Sequence, residues 1–309
     1  MTIGHHIKTF AGRRVMAFPP EEEFSGDPAT IAWRIEDPDY EGGDIFAERL
    51  ASFTQQPWAR AVTALVVGAW GSSYDTGPPL ELLVQAVAQL PALDALFLGE
   101  MTFEECEISW IQQGEVSPLF EVCPRLETLT IRGSDGLSLK SLSHESLRSL
   151  TFESGGLPAE VVRAVADCDF PRLPHLELWL GTDNYGGDAT PEDLAPIMSG
   201  GRLPALKSLA LRNAEIADMV ATVLASAPVV ARLEVLDLSM GMLSDAGATA
   251  LLTGQPLTHL RKLDLHHHYI SEPVMQRLRA ELTAAGVEVD LSDAGDPNSD
   301  DGRYIEVSE

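Results

Sequence analysis

Apolar and polar residues alternate in short bursts along most of the chain, and the bursts share one template, L-x-x-L-x-L. It is filled by Leu93, Leu96 and Leu98, by Leu126, Leu129 and Ile131, by Leu147, Leu150 and Phe152, and by Leu173, Leu176 and Leu178. It continues with Leu206, Leu209 and Leu211, with Leu233, Leu236 and Leu238, and with Leu260, Leu263 and Leu265. A weaker copy begins at Val62, and GVEVDL from Gly286 supplies a last strand through Val289 and Leu291. The starts fall at 62, 93, 126, 147, 173, 206, 233, 260 and 286, spaced by 21 to 33 residues. A period of that size marks one supersecondary unit per copy.

Each copy combines two periodicities. The alternating part reads as a short strand whose fourth and sixth positions point one way, while the third, fifth and seventh point the other. Between strands the spacing turns helical. SEPVMQRLRAELTAAG offers Ser271 as an N-cap, Glu272 and Pro273 in the first turn, Val274, Leu278 and Leu282 along one face, and Gly286 past the end. PPLELLVQAVAQL and LSDAGATALLTG repeat the pattern, with stripes of Leu80, Leu83, Val84 and Val87 and of Ala246, Ala250 and Leu251. One unit cannot bury both of its apolar faces, so the units must stack. The expected fold is an α/β leucine-rich repeat solenoid, a curved parallel β-sheet on the concave side with helices on the convex side.

LEVLDLSMGMLSDAGATALL and the unit after it resemble repeats of the ribonuclease-inhibitor type. With IAWRIE near the start, ECEISWIQQGEVSPL in an insertion, LELWLGTDNYG in the middle and a terminal DDGRYIEVSE, the chain is similar to an uncharacterised family of bacterial leucine-rich repeat proteins. The resemblance implies a partner-binding solenoid and carries over no catalytic residue. Genes of such proteins often sit beside radical-SAM, ATP-grasp and hydrolase genes, which implies an accessory role in a modification pathway. The sequence departs from the general repeat at its ninth position, where Ser134, Gly155, Ala214, Gly241 and His268 replace the usual Asn or Cys. The turns after the strands must therefore satisfy their backbone groups by other means.

A solenoid has to cover its two ends. Residues 1–60 hold the strand-like RRVMAF and IAWRIE and the helix candidate DIFAERLASFTQQ, and read as an N-terminal cap. Residues 61–292 hold the repeats, about nine strands, and residues 293–309 form an acidic tail with a short alternating strand from Arg303 to Val307.

Composition narrows the partner. With 45% hydrophobic residues and mean hydropathy near zero, 309 residues can bury a large core. The 47 acidic and 21 basic residues leave a formal net charge of −26, which repels polyphosphate and anionic lipid, so nucleic acid and membrane surfaces are excluded as partners. The longest apolar run, around Ala61 to Trp70, is about half of the ~20 residues that a membrane-spanning helix needs. The first residues lack a signal-like apolar stretch, and a cytoplasmic location is expected. Cys106, Cys123 and Cys168 share no C-x-x-C spacing and read as reduced structural residues.

The run LRKLDLHHHYIS raises a metal site, with His266, His267 and His268 following Asp264. Neighbouring strand residues point to opposite faces, so three consecutive histidines cannot reach one ion. Asp264 and His266 could share one, and a metal-dependent enzyme built on that pair is the alternative to a binding module. Otherwise these are solvated turn histidines with one half-buried. The acidic DAGDPNSDDG fails as a calcium loop, since Asp301 and Val307 stand where glycine and glutamate are needed. No G-x-S-x-G, Walker, G-x-G-x-x-G or H-E-x-x-H motif occurs. No catalytic residue, metal or cofactor is expected.

Function then falls to outward strand residues and insertions. In the first half these positions are mostly small or neutral. In the second half, Glu177, Asp237, Asp264 and Asp290 share the fifth template position and form a carboxylate stripe. Trp179 either adds an aromatic anchor or lies covered by the loop GTDNYGGDATPED that follows it, with His175 on its own strand, Arg212 at its level on the next, Tyr185 in that loop, and His266 further on. Trp110 in an insertion either packs down with Ile108 or meets a partner directly. The expected partner is a protein or peptide whose basic or aromatic segment lies along the C-terminal half of the concave face. A purely structural subunit of a larger complex is the third reading.

Overall fold

The computed structural model describes residues 2–39, 44–296 and 302–309. The chain divides into two compact units, Thr2–Glu153 and Ser154–Ser308. Each is an α/β leucine-rich repeat solenoid, with strands in chain order and helices in the connections.

In the first unit, β1 (Thr9–Phe10) pairs antiparallel with β2 (Arg13–Ala17). From β2 onward all neighbours are parallel: β3 (Ile31–Ile35), β4 (Ala64–Val67), β5 (Ala95–Leu98), β6 (Thr128–Arg132) and β7 (Ser149–Glu153). α1 (Asp44–Thr54), α2 (Leu80–Val87) and α3 (Ser117–Val122) lie between strands. The template residues fall into rows, Leu96 beside Leu129 beside Leu150, and Leu98 beside Ile131 beside Phe152, none more than 2% exposed. Each such side chain contributes ~1.5–3 kcal/mol by its burial, and the rows fix the register because a one-residue slip would turn all of them outward.

The opposite face of this sheet is not solvated. Ala32, Ala64, Val66, Ala95 and Phe97 form an apolar floor with Phe10, and Ile7 and Val15 pack against it. The small residues read from the sequence at these positions are thus the bed for the chain's own first strand and the residues before it.

The second unit continues the same scheme with β8 (His175–Gly181), β9 (Ser208–Ala214), β10 (Val235–Asp237), β11 (Lys262–Asp264) and β12 (Glu288–Asp290), all parallel. Leu176, Leu209, Leu236, Leu263 and Val289 make one row across it. Its helices are α4 (Ala159–Asp167), α5 (Pro191–Met198), α6 (Ala217–Leu224), α7 (Asp245–Thr253) and α8 (Glu272–Leu278), the last continuing as a π-helical turn over Arg279–Thr283. Two of these helices are closed by carboxylates from the repeat before. Asp218 accepts from the backbone N–H groups of Ser244 and Gly247 at the start of α7, and from the Ser244 hydroxyl. Asp245 accepts from the N–H and hydroxyl of Ser271 at the start of α8. Ser271 therefore holds the N-cap position that its sequence suggests, but its hydroxyl donates to Asp245 instead of capping the helix itself.

The chain leaves its strands by a turn one residue earlier than the degenerate ninth position. Gly133, Asn213, Met240, His267 and Asp293, all at the eighth position, have φ between +52° and +89°. The N–H groups of Gly133, Asn213, Met240 and His267 donate to Glu153, Ser239, His266 and Ser292 on the following strand. A left-handed residue with a side chain costs of order 1–3 kcal/mol, least for Asn, Asp and His. At the ninth position His268 takes the part of the missing asparagine. It is 1% exposed, its Nδ1 accepts from the Ile270 N–H at 3.0 Å, and its Nε2 faces the Leu291 carbonyl at 3.4 Å. The expectation of solvated histidines with one half-buried fails here: His268 is fully enclosed.

The segment Arg303–Val307 carries no strand, yet Ile305 and Val307 are buried. Among the described residues no helix is long and apolar enough to cross a membrane.

Candidate functional site

The parallel register of the second unit sets its outward side chains in rows. Glu177 on β8 and Asp237 on β10 flank Ala210 on β9, and Asp264 on β11 and Asp290 on β12 continue the line. Ala210 leaves a gap that Arg212, two residues on, fills. Its Nη1 lies 2.9 Å from Glu177 Oε1, its Nε 3.0 Å from Ser239 Oγ and 3.5 Å from Asp237 Oδ2. At the far end, Asp264 Oδ1 accepts from the His266 backbone N–H at 3.1 Å and meets His266 Nδ1 at 2.7 Å, and Lys262 Nζ is 2.8 Å from Asp264 Oδ2. Asp290 Oδ1 accepts from the N–H and hydroxyl of Ser292.

These contacts decide the charge states. Burial pushes the Glu177 carboxyl up, but the His175 hydrogen bond, the Arg212 charge and the Trp179 N–H outweigh it and leave it at about 2. Asp264 is likewise raised by burial and then held well below the usual carboxylate range by hydrogen bonds from His266 and Lys262. His266 moves up in answer, through its hydrogen bond to Asp264. Asp237 goes the other way. Its burial raises it more than Arg212 and Ser239 lower it.

The expected site residues come together only in part. His175, Glu177, Trp179 and Arg212 form one cluster. His175 Nδ1 is 3.0 Å from Ser208 Oγ, and its Nε2 is 3.5 Å from Glu177 Oε2. Trp179 is 8% exposed, so of the two alternatives it is covered and not an open anchor. Its indole N–H donates to Glu177 at 2.7 Å and the Arg212 guanidinium lies over its ring at 5.6 Å. Tyr185 belongs to a short 3₁₀ turn, Asp183–Tyr185, in a loop pinned to the preceding repeat. The Thr182 N–H donates to Gly155, and a Cβ at Gly156 would meet the Tyr185 carbonyl at 2.2 Å, so only glycine permits this approach. Trp110 lies in the first unit, 47% exposed, while its neighbour Ile108 is buried at 3%. The insertion therefore packs through Ile108 and presents Trp110.

Among the described residues, two triads carry ligand-type atoms within 4.8 Å of one another: Asp264, His266 and Asp290, and His6, Glu36 and Glu105. In both, a side-chain cation already stands among the carboxylates. Lys262 serves the first, and Arg34, 2.5 Å from Glu36 and 3.5 Å from Glu105, serves the second. That charge opposes a divalent ion at either place.

Two groupings escape the sequence reading. The first is a buried charge cluster in the first unit, where Glu100 is fully enclosed. Arg34 pairs with it, the Ile7 N–H donates to it at 3.0 Å, and His6 lies 3.3 Å away. Beside it Arg132, 4% exposed, pairs with Glu153 at 2.7 Å and donates to the Met101 carbonyl. Arg132 and Glu153 are cross-strand neighbours at the seventh template position, and opposite charges at one position of adjacent repeats were the signal available. The second grouping is the docking of residues 303–307 in the second unit. Asn213, 0% exposed, donates through Nδ2 to the Val307 carbonyl and accepts at Oδ1 from the Val307 N–H, while the Glu306 N–H donates to the Met240 carbonyl at 2.8 Å. The Tyr304 carbonyl accepts from Tyr269 Oη at 3.2 Å and lies 3.1 Å from His267 Nε2, and Glu306 Oε2 is 3.6 Å from His266 Nε2.

No family model matches the chain, and none of the curated proteins does. Among solved structures, the crystal structure of a Bacteroides fragilis protein from a structural genomics effort is similar to it, with a TM-score of 0.77 and 29% identity over 84% of this chain and 73% of that one. The TLR13–ssRNA13 complex aligns over 93% of this chain and 44% of that one, at a TM-score of 0.39 and 13% identity.

Proposed function

We propose that this protein is a non-catalytic scaffold that binds a protein or peptide through the outer sheet face of its second unit. The observation that carries this reading is the in-register line of Glu177, Asp237, Asp264 and Asp290, against which, among the described residues, Arg212 and Lys262 are the permanent cations paired. The surplus of negative charge favours a partner segment bearing Lys or Arg, and it acts first on the rate of encounter. His175 and His266 border the line and supply adaptable polar contacts, and we assign Tyr185, in the loop after β8, to the same partner contact. Trp179 is the locked floor of this surface, so truncating it would disturb Glu177 and Arg212 before it disturbed a partner. Trp110 is the exposed tryptophan, and we assign to it a separate contact in the first unit. In this reading residues 1–60 cap the repeats of 61–292, residues 293–309 are an appended tail, and the protein works in the cytoplasm as an accessory of a bacterial modification pathway.

Crosslinking and pull-down from the native host would supply a partner. Surface plasmon resonance with Asp237→Asn plus Asp290→Asn should then show an association rate reduced about tenfold at low salt and nearly unchanged at high salt, as screening removes the same steering. An unchanged association rate at low salt would move the site elsewhere, first to Trp110. A metal-dependent activity on Asp264 and His266 is the competing reading. One ion per chain, lost with His266→Ala, would establish it.

A further inference from the structure

Asn213 is a buried side chain that reads backbone. Its carboxamide both donates to and accepts from Val307, 94 residues away, so it recognises a peptide unit and not a particular side chain. The left-handed conformation of Asn213, φ +53°, is held by its own N–H to Ser239 and by Nδ2 to the Ser154 carbonyl at 3.2 Å. The carboxamide is thus aimed by the fold of the repeats and not by the segment it holds. The Met240 carbonyl, accepting from Glu306, is placed in the same way by the eighth-position turn of the next repeat, and the one after brings His267 and Tyr269 to the Tyr304 carbonyl.

Successive turns therefore present an amide clamp, a carbonyl acceptor and two ring donors to one short segment that bends at Glu306. Side-chain selectivity is added between them. Ile305 and Val307 are enclosed at 3% and 6%, Glu306 faces His266, Arg303 stacks over the Tyr269 ring at 5.7 Å, and Tyr304 remains 58% exposed. No strand ladder joins this segment to the sheet; what holds it is a set of groups belonging to the turns.

From this we propose that the turns after β9, β10 and β11 form a peptide-recognition site, that residues 303–307 are its intramolecular occupant, and that a partner segment of the pattern aromatic–aliphatic–acidic–aliphatic takes their place. The inference rests on the scaffold reading above in supposing a peptide partner, but it names a different contact. The carboxylate line steers a basic region, whereas this site grips main-chain groups. When the occupant leaves, Asn213 and the Met240 carbonyl lose their partners, and a competing segment restores both; an apolar surface alone could not.

The test uses the full chain. A fluorescein-labelled peptide with the sequence of residues 302–309 is titrated, by anisotropy, into wild type and into the double variant Ile305→Asp plus Val307→Asp, whose own segment cannot seat. The peptide should bind the double variant at least tenfold more tightly than wild type. Methylating the peptide's Val307 nitrogen, which removes the donor to Asn213 without touching the protein, should abolish that binding. Equal affinity for both proteins, indifference to the methyl group, or no binding to a double variant that melts cooperatively would overturn the site. Hydrogen exchange on wild type reads the same question independently. The Glu306 and Val307 amides should exchange by local opening, at least a hundredfold faster than the Leu236 and Leu263 amides. Protection equal to that of the strands would make the segment a fixed part of the fold and sink the proposal. A partner pull-down that succeeds while the peptide fails leaves the scaffold reading standing; wild type that exchanges its segment with a second copy, seen as a dimer, overturns the heterologous partner.

Discussion

His268 shows how a single side chain can replace a repeat's missing consensus residue. Its ring satisfies the Ile270 N–H and lies against the Leu291 carbonyl, groups that the turn would otherwise bury unpaired. His268→Ala should therefore destabilise the protein by about 1–3 kcal/mol, read from denaturant midpoints, and His268→Asn by clearly less, because the carboxamide can restore both bonds. Equal losses would mean that packing, not backbone satisfaction, fixes this position. Two residues earlier, His266 gives a pH signature. Its folded pKa is raised by Asp264, so its stabilisation is complete below the unfolded value of about 6.5 and is lost as pH rises through the higher folded value. Asp264 is lowered, so its share is present above an unfolded value of about 3.9 and disappears only as pH falls through the folded one. The pair is fully stabilising between about pH 4 and 6.5. Melting temperature should fall between pH 6 and pH 9 more steeply in wild type than in His266→Gln, and parallel slopes would show the two groups uncoupled.

Among elements, the helices of the second unit depend on one another through their first turns. Asp218, at the second position of α6, closes the start of α7 by accepting two backbone N–H groups, and Asp245 opens α7 and closes α8. Asp218 and Asp245 each lie in the first turn of their own helix, where a carboxylate also favours that helix's dipole. The structure gives those carboxylates a second employment in the neighbouring repeat, which no single-helix pattern could reveal. Asp218→Ala should cost about 0.5–2 kcal/mol, the range for losing an N-terminal cap. Amide exchange should quicken at Ser244 and Gly247 more than within α6, and a loss confined to α6 would return the carboxylate to its own helix.

At the scale of the whole molecule, what was legible is what a local period enforces. The leucine rows from Leu96 to Leu150 and from Leu176 to Leu263 follow from burial of every fourth and sixth template position, and the strand order follows from stacking. The carboxylate line was legible for the same reason, since parallel register carries a template position straight across the sheet. What was not legible depends on segments remote in sequence coming back to the repeats. Ile7 and Phe10 cover the apolar bed at Ala64, Val66 and Phe97, and Ile305 and Val307 settle against the turns of β9 and β10. Nor could template position reveal that Trp179 would be closed over by Arg212, because the gap that admits the guanidinium is made by Ala210 on another strand. A net charge of −26 hides this internal order, since it counts Asp264 and Glu100 as free when each is engaged by cations.

The closing of one helix by its predecessor also bears on how such an array grows. Because Asp218 belongs to the repeat ahead of the helix it serves, and Asp245 does the same one step later, the dependence runs in one direction along these two joints. Losing the trailing repeat takes no helix cap from those before it at these joints, whereas losing a leading one leaves the first turn of the following helix with bare amides. Over evolutionary time, then, a lineage carrying this joint should gain and shed whole repeats more readily at the trailing side than at the leading one.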